Sequence, residues 1–205
     1  YGAVFTVAEV GDDLAETEMK AFTAGEDHLN SAYGFDFLYA DKLTPRFVEQ
    51  AVAKWPDTPG IGWPSWAFEN HDAPRALSRW CQPDQRDAFA RLKAMLFASL
   101  RGNIIVYQGE ELGLTQVDIP FEQLQDPEAI ANWPQTLGRD GARTPMPWVS
   151  GAVNAGFSGV EPWLPVDPEH LPLAVDAQEA DPTSTLHVAR RLIALRRTYP
   201  ALRTG

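Results

Sequence analysis

The stretch FENHDAPRALSRW, residues 68–80, joins an apolar run to a group of polar side chains. The run at residues 65–68 is typical of a buried strand, and Asn70, His71 and Asp72 follow it directly. Polar groups at the end of a buried run cost free energy unless they have partners or a use. In parallel α/β folds, functional residues gather at the carboxyl ends of strands. The stretch therefore predicts a strand that ends at a functional site.

Similar apolar runs occur elsewhere in the chain and alternate with helical patterns. Near-continuous apolar strands between helices are typical of a parallel sheet in an α/β fold. The predicted strands span residues 3–10, 32–38, 65–68 and 103–107, and the predicted helices span 12–22, 44–55, 83–102 and 181–199. For the last helix, Asp181 is the expected N-cap, with Pro182 in the first turn.

Residues 108–182 break this pattern and form a long connection after the fourth strand. The connection is rich in Pro, Gly and Trp, with one short helix expected near residues 121–133. Its aromatic content argues against disorder, and a loop of this length is usually functional. We therefore expect one domain over residues 1–205, with 108–182 as a βα-loop insertion. Four βα units cannot close an eight-stranded barrel, so the pattern predicts half of one.

Composition narrows the classes of partner. The chain has 205 residues, with 44% hydrophobic and 22% charged residues, a net charge of -11 and a pI of about 4.7. An acidic surface argues against nucleic acids and anionic membranes as partners, and suits a neutral ligand. The sequence contains no apolar run of the roughly 20 residues that a membrane span requires.

Two features of the sequence concern the cellular compartment of the protein: its single cysteine and its first residue. Cys81 has no cysteine partner or histidine cluster, so we expect a buried or half-buried structural thiol and no metal site. The chain starts at Tyr1, only two residues before a predicted buried strand, which suggests that an N-terminal portion precedes it. The compartment therefore stays unknown; a cytoplasmic location is favoured and a periplasmic one is open.

Two carboxylates are expected on one edge of the sheet. Glu9 lies at the end of the first strand and Asp72 follows the third. Glycosidic bond cleavage needs a carboxylic acid for the leaving oxygen and negative charge beside an oxocarbenium-like transition state. The alternatives are a surface or capping role for Glu9 and a capped turn for residues 70–72.

Four motifs in one order carry a family resemblance: FTVAEV, FENHD, YQGEELG and RDGARTPMPW, between residues 5 and 148. Together they resemble the α-glucosidase and oligo-1,6-glucosidase branch of glycoside hydrolase family 13, the α-amylase family. The resemblance implies that the chain is the second half of a (β/α)8 TIM barrel, strands five to eight.

The resemblance also implies roles for particular residues. Glu9 matches the general acid/base and Asp72 the carboxylate that stabilises the transition state. His71 and Arg143 match residues that bind the glucose at the cleaved bond, and Arg139 lies in the same motif. For the glutamates of YQGEELG, we favour loop anchoring over sugar contact.

One expected residue is missing from the sequence. The family's nucleophile is an Asp in a Gly-Phe-Arg-x-Asp setting, and residues 34–37, GFDF, do not match it. We expect the nucleophile, the first four strands and any calcium site to lie upstream of Tyr1, so the chain alone should be inactive. No cofactor or metal is expected within it.

The resemblance implies a retaining α-glucosidase whose partner is an oligosaccharide or disaccharide. Transglycosylases, sucrose- or trehalose-converting isomerases and non-catalytic binding proteins of the same family remain alternatives. Tryptophans could offer apolar faces to sugar rings or anchor loops; they are Trp63, Trp66, Trp133, Trp148 and Trp163. The open edges of a half barrel predict self-association.

Overall fold

The computed structural model describes residues 4–11, 14–55, 62–136 and 138–204. In this part of the chain, each predicted apolar run overlaps a strand, but every strand is shorter than expected. The observed strands are β1 Val7–Val10, β2 Ser31–Gly34, β3 Ser65–Trp66 and β4 Asn103–Ile104. The predicted first strand began at residue 3, which lies outside the described residues.

The strands follow one another in chain order but form two separate parallel ladders. β1 pairs with β2, and β3 pairs with β4. The ladders meet where the buried hydroxyls of Ser31 and Ser65 lie 2.7 Å apart, and Asn103 Nδ2 donates to Ser65 Oγ at 3.2 Å. The described residues thus form a parallel α/β arrangement without a closed barrel.

An aromatic core fixes the carboxyl end of β3. The ring of Phe68 stacks on Phe97 with centroids 4.4 Å apart and lies 4.8 Å from Phe37. Phe37 also meets Trp66 edge to face at 5.7 Å. Full burial of such a side chain stabilises the fold by about 1.5–3 kcal/mol. The polar residues 69–72 therefore follow a rigidly packed strand.

The observed helices are α1 Ala15–Thr23, α2 Pro45–Ala53, α3 Ala76–Trp80, α4 Arg86–Ser99, α5 Pro127–Asn132, α6 Val175–Glu179, α7 Thr185–Thr198 and α8 Ala201–Thr204. The prediction for α2 is confirmed: Thr44 accepts from the Phe47 backbone N–H at 3.2 Å and Pro45 opens the helix.

α4 follows a 3₁₀ turn at Pro83–Gln85 and ends before Gly102. Gly102 has φ of 116°, and a Cβ there would lie 2.3 Å from Pro64 O, so this position requires glycine. Residues 12–13, the predicted start of α1, lie outside the described residues.

The prediction that Asp181 caps the last helix is wrong. Ser184 is the N-cap of α7, and its Oγ accepts from the His187 backbone N–H at 3.3 Å. Asp181 Oδ1 instead accepts from the backbone N–H and the hydroxyl of Thr183, both at 2.8 Å. Asp181 therefore shapes the turn before the helix, and Ser184 satisfies the first N–H groups.

The long connection packs through short elements. The expected short helix is confirmed by α5 and the preceding 3₁₀ turn at Phe121–Gln123. Two small apolar clusters support the connection: Leu112, Leu114, Met146 and Leu186 form one, and Ile119, Leu124, Ala129 and Leu164 form the other.

Cys81 is half-buried and its Sγ–H donates to Leu77 O at 3.2 Å, as expected of a structural thiol. None of the described helices combines the length and the apolar character that a membrane crossing requires.

Candidate active site

Glu9 lies on β1 beside Tyr33 of β2, as the parallel register dictates. The Tyr33 hydroxyl donates to Glu9 Oε1 at 2.8 Å, and Asn70 Nδ2 donates to the same oxygen at 3.1 Å. Burial, followed by the hydrogen bond to Glu9, raises the pKa of Tyr33 to about 12, so its hydroxyl stays protonated. The exposed Glu9 carboxylate thus has two neutral donors.

Asn70 connects Glu9 to Asp72. The Asn70 amide is buried, and its Oδ1 accepts from the backbone N–H groups of Asp72 at 2.9 Å and Ala73 at 2.7 Å. One side chain therefore contacts the Glu9 carboxylate and also orders the turn that carries Asp72. The expectation that both carboxylates lie at the same edge agrees with this geometry.

Asp72 faces cationic side chains from the long connection. Its Oδ1 accepts from Arg143 Nη2 at 2.7 Å and lies 3.5 Å from both Arg139 Nη1 and His71 Nε2. Arg143 Nε also donates to the His71 carbonyl at 2.8 Å. The long connection therefore folds back over the strand ends. We call Glu9, Tyr33, Asn70, His71, Asp72, Arg139 and Arg143 the strand-end cluster.

A 3₁₀ turn, Asp140–Ala142, separates the two arginines of this cluster. Arg139 binds Asp126 through Nε at 2.9 Å and Nη2 at 2.8 Å. The hydrogen bonds from Arg139 hold the pKa of Asp126 well below its usual range. Arg139 is thus committed mainly to Asp126, whereas the shortest side-chain contact of Arg143 is with Asp72.

A buried arginine that the sequence did not single out holds this turn in place. Arg75 is 1% exposed, and its Nη2 donates to the Ala142 carbonyl at 3.0 Å. The Tyr107 hydroxyl donates to the same carbonyl at 3.1 Å, and the Arg75 guanidinium lies over the Tyr107 ring at 4.5 Å. Since Ala142 directly precedes Arg143, Arg75 and Tyr107 position the arginine that binds Asp72.

Arg75 belongs to a buried charge network. Glu69 accepts from Arg75 Nη1 at 3.0 Å and from Lys93 Nζ at 2.6 Å, and Lys93 lies 3.1 Å from Glu110. Burial opposes ionisation of Glu69, but the charges of Lys93 and Arg75 lower its pKa overall. Burial raises the pKa of Glu110 to about 7. A sequence signal for this network is Lys93 on the apolar face of α4, where an unpaired charge is not tolerated.

Of the glutamates of YQGEELG, Glu110 anchors the chain. Glu110 Oε2 accepts from the Tyr107 backbone N–H at 3.1 Å, in addition to the ion pair with Lys93. Burial raises the pKa of Glu111. The interpretation of Glu110 as a residue that ties down the loop is confirmed.

The five candidate tryptophans differ in exposure, and Trp63 is half-buried. Trp66 is buried, and its Nε1–H donates to Arg101 O at 2.6 Å, so it cannot present a face to a ligand. The exposed members of the set are Trp133, Trp148 and Trp163. Among the described residues, acidic, histidine and cysteine side chains form no cluster of three or more that could hold a metal ion.

Comparisons with known proteins identify the family to which the chain belongs. The family model "Alpha amylase, catalytic domain" matches residues 2–205. A probable alpha-glucosidase of Rhizobium meliloti (strain 1021) is 44% identical over 100% of this chain and 37% of its own length. An oligo-1,6-glucosidase of Parageobacillus thermoglucosidasius is 33% identical over 77% of this chain and 32% of its own length. The chain thus spans about a third of the length of these relatives.

Solved structures give the same result. The alpha-glucosyl transfer enzyme XgtA superposes over 100% of this chain and 38% of its own, with a TM-score of 0.91 and 40% identity. The trehalose-6-phosphate hydrolase of Bacillus licheniformis superposes over 98% of this chain and 41% of its own, with a TM-score of 0.85 and 25% identity. The chain belongs to the alpha-amylase catalytic domain family, whose fold is the TIM barrel.

Proposed function

We propose that this chain forms part of a retaining α-glucosidase that removes terminal α-linked glucose from oligosaccharides or disaccharides. The observation that carries the proposal is the pairing of Asp72 with Arg143 at 2.7 Å beside a second carboxylate, Glu9, which shares the partner Asn70. Two carboxylates in different surroundings are what glycoside cleavage requires. The similarity to proteins named alpha-glucosidase and oligo-1,6-glucosidase supports the choice of reaction.

In this proposal Glu9 is the general acid and base. As an acid it protonates the departing glycosidic oxygen, and afterwards it removes a proton from the water that releases glucose. The Glu9 carboxylate is exposed, so a substrate can reach it, and the hydrogen bonds from Tyr33 and Asn70 hold it in place.

Asp72 stabilises the flattened, positively charged sugar ring of the transition state. The guanidinium of Arg143 and the imidazole of His71 hold the hydroxyls of that sugar, because both groups are suitable donors. Arg139 supports the arrangement from its ion pair with Asp126.

A retaining mechanism also needs a carboxylate that attacks the anomeric carbon. We propose that this nucleophile is supplied from outside these 205 residues, and that the chain provides strands five to eight of the barrel. The chain alone then forms no glycosyl-enzyme intermediate and hydrolyses no α-glucoside. The proposed chemistry uses carboxylates alone and needs no cofactor.

The test uses the complete enzyme that contains this chain. Glu9→Gln should abolish turnover of substrates with poor leaving groups, but slow the first step with glucosyl fluoride much less, because fluoride needs little protonation to leave. Glu49→Gln, on the exposed surface of α2, is the matched control. Equal losses on both substrates would show that Glu9 is not the acid. Sugar binding without turnover in the unmutated protein would favour a non-catalytic binding protein.

Glucosyl transfer is the second candidate function, because the similar structure XgtA is described as an alpha-glucosyl transfer enzyme. Both reactions use the same glycosyl-enzyme intermediate and differ in whether water or another hydroxyl attacks it. The products formed from maltose at rising acceptor concentration separate the two. Glucose alone indicates hydrolysis, and longer or rearranged glucosides indicate transfer or isomerisation.

The isolated chain should also self-associate. Strand β1 pairs only with β2 among the described residues, and the apolar side chains Val4, Phe5 and Val7 around it are exposed. Exposed apolar surface beside an open strand edge favours association. Light scattering of the isolated chain should therefore give more than the monomer mass of 22.7 kDa, and Val7→Lys should lower it. A monomer at micromolar concentration would contradict this expectation.

A further inference from the structure

A cavity of about 400 Å³ lies on the long connection, outside the strand-end cluster. One wall comes from the 3₁₀ turn at Phe121–Gln123 and the other from residues 161–166. Its volume falls in the range of small-molecule sites. The side chains that decide its chemistry are Glu122, Gln123, Gln125, Asn154, Glu161 and Trp163.

Trp163 presents its indole to this cavity from a rigid segment. It is 60% exposed, more than any other tryptophan in the described part of the chain. Pro162 and Pro165 flank the segment, and the adjacent Leu164 is fully buried in the cluster with Ile119 and Leu124. Prolines limit the backbone, and Leu164 anchors it, so the exposed indole is held in place. An aromatic ring fixed in this way loses little conformational entropy when a ligand covers it.

The polar side chains of the cavity are free to bind. Within the described residues, the side chains of Gln123, Gln125, Glu122 and Glu161 have no hydrogen-bond partner, and the Trp163 ring N–H donates to none. Asn154 differs, because its Nδ2 donates to the carbonyls of the neighbouring loop, Ser158 at 3.1 Å and Val160 at 2.8 Å. Asn154 therefore shapes the wall, while the amides and carboxylates are available to a ligand.

The charge of the lining selects the class of ligand. Among the described residues, two carboxylates and no cationic side chain line the cavity, which disfavours phosphates and other anions. Amides and carboxylates suit a neutral ligand with many hydroxyl groups. The flat indole suits an apolar ring face on the same ligand. A pyranose ring combines an apolar face with a rim of hydroxyls, and it matches both requirements.

The cavity is linked to the strand-end cluster through two consecutive residues. The Gln125 backbone N–H donates to Asp140 Oδ2 at 2.6 Å, and the next residue, Asp126, binds Arg139. We propose that this cavity is a separate sugar-binding site in which Trp163 stacks on a pyranose unit of an α-glucan. The choice of glucose units rests on the proposed function, whereas the choice of a neutral pyranose rests on the cavity itself.

Binding of maltotriose and isomaltotriose to the chain tests the proposal, with saturation-transfer NMR and calorimetry as readouts. The unmutated chain should bind at least one of them saturably. Trp163→Ala should weaken that binding on the order of tenfold or more. Trp148→Ala, which removes an indole that is 48% exposed outside the cavity, should leave it unchanged. Because Trp163 is exposed, its loss should not alter the circular dichroism spectrum, and Trp163→Tyr should retain part of the affinity.

Variants of the strand-end cluster distinguish this proposal from the proposed function. Binding that survives Arg143→Ala and is lost in Trp163→Ala supports the separate site, whatever the catalytic outcome. Binding that is lost in Arg143→Ala and survives Trp163→Ala overturns the separate site and leaves the proposed function intact. Absence of saturable binding to the unmutated chain also overturns it.

Discussion

The two carboxylates of the strand-end cluster share Asn70 as a neighbour, but their other partners differ in charge. Glu9 accepts hydrogen bonds from a phenol and an amide, both neutral. Asp72 lies 2.7 Å from one guanidinium and 3.5 Å from another. Neutral donors bind a carboxylate through hydrogen bonds alone, whereas guanidinium groups add the attraction of opposite charges. The difference supports distinct proposed roles for the two groups.

The partners also come from different parts of the chain. Those of Glu9 lie on the neighbouring strand and in the turn after β3, so the α/β framework supplies them. The arginines that face Asp72 come from residues 139–143 of the long connection, about 70 residues further along. The framework therefore supplies the neutral partners in the Glu9 corner of the cluster, and the long connection supplies the cationic partners in the Asp72 corner.

The largest expected effect comes from removing the charge at the Asp72 corner. Arg143→Ala leaves Asp72 without its closest cation; truncation of one partner in such a pair costs about 2–5 kcal/mol. In the complete enzyme, kcat/KM should fall by a factor on the order of 30 to several thousand. Arg190→Ala, which breaks an exposed pair with Glu179, is the control and should change little. A fall of less than threefold would remove Arg143 from the proposed site.

The next effect is on stability and depends on pH. The hydrogen bonds from Arg139 lower the pKa of Asp126 in the folded chain, below the value of about 3.9 expected when unfolded. Between these two pKa values the unfolded state binds more protons than the folded state. The stabilisation that the Asp126 carboxylate contributes is therefore complete above pH 4 and is lost as the pH falls. Asp126→Asn should destabilise the chain at neutral pH, and the difference from the unmutated chain should shrink in acid. Urea unfolding at several pH values measures this, and a constant difference would contradict it.

A smaller effect is expected where the long connection is attached. Tyr107→Phe removes one of two hydrogen bonds to the Ala142 carbonyl, and Arg75 keeps the other. The free energy of unfolding should fall by about 0.5–1.5 kcal/mol. In the complete enzyme, KM should rise more than kcat falls, because Arg143 becomes less well positioned for binding. A change in stability without any change in KM would mean that Tyr107 does not position Arg143.

Sequence patterns were sufficient to predict the order of the strands in the α/β framework. Strand order follows from apolar runs, and the closeness of Glu9 and Asp72 follows from the rule that parallel strands end at one edge. Asp181 failed as a predicted N-cap because Ser184 is also a good capping residue, and the choice depends on where α7 packs. Local sequence does not carry that information.

The buried network could not be read from spacing. Glu69 and Arg75 are six residues apart, Lys93 follows 24 residues after Glu69, and each of the three would ordinarily be placed at the surface. Their burial depends on simultaneous pairing, which is a property of the packed molecule. The position of Arg143 depends on the same packing, because Arg75 holds the preceding carbonyl. Residue types at the site were therefore predictable, and the groups that orient them were not.

The smallest expected effect on activity comes from removing a neutral donor beside Glu9. Tyr33→Phe removes one neutral donor from Glu9 and leaves Asn70, so it costs one hydrogen bond, about 0.5–1.5 kcal/mol or a 2- to 10-fold loss in kcat. If Tyr33 acts through Glu9, the loss should be larger for substrates with poor leaving groups than for glucosyl fluoride. Tyr39→Phe is the control, since that ring is 53% exposed and contacts Phe35 instead. An equal loss on both substrates would mean that Tyr33 supports the strand and not the acid. A loss in activity as large as that of Arg143→Ala would contradict the comparison, because a neutral partner of Glu9 would then matter as much as a cationic partner of Asp72.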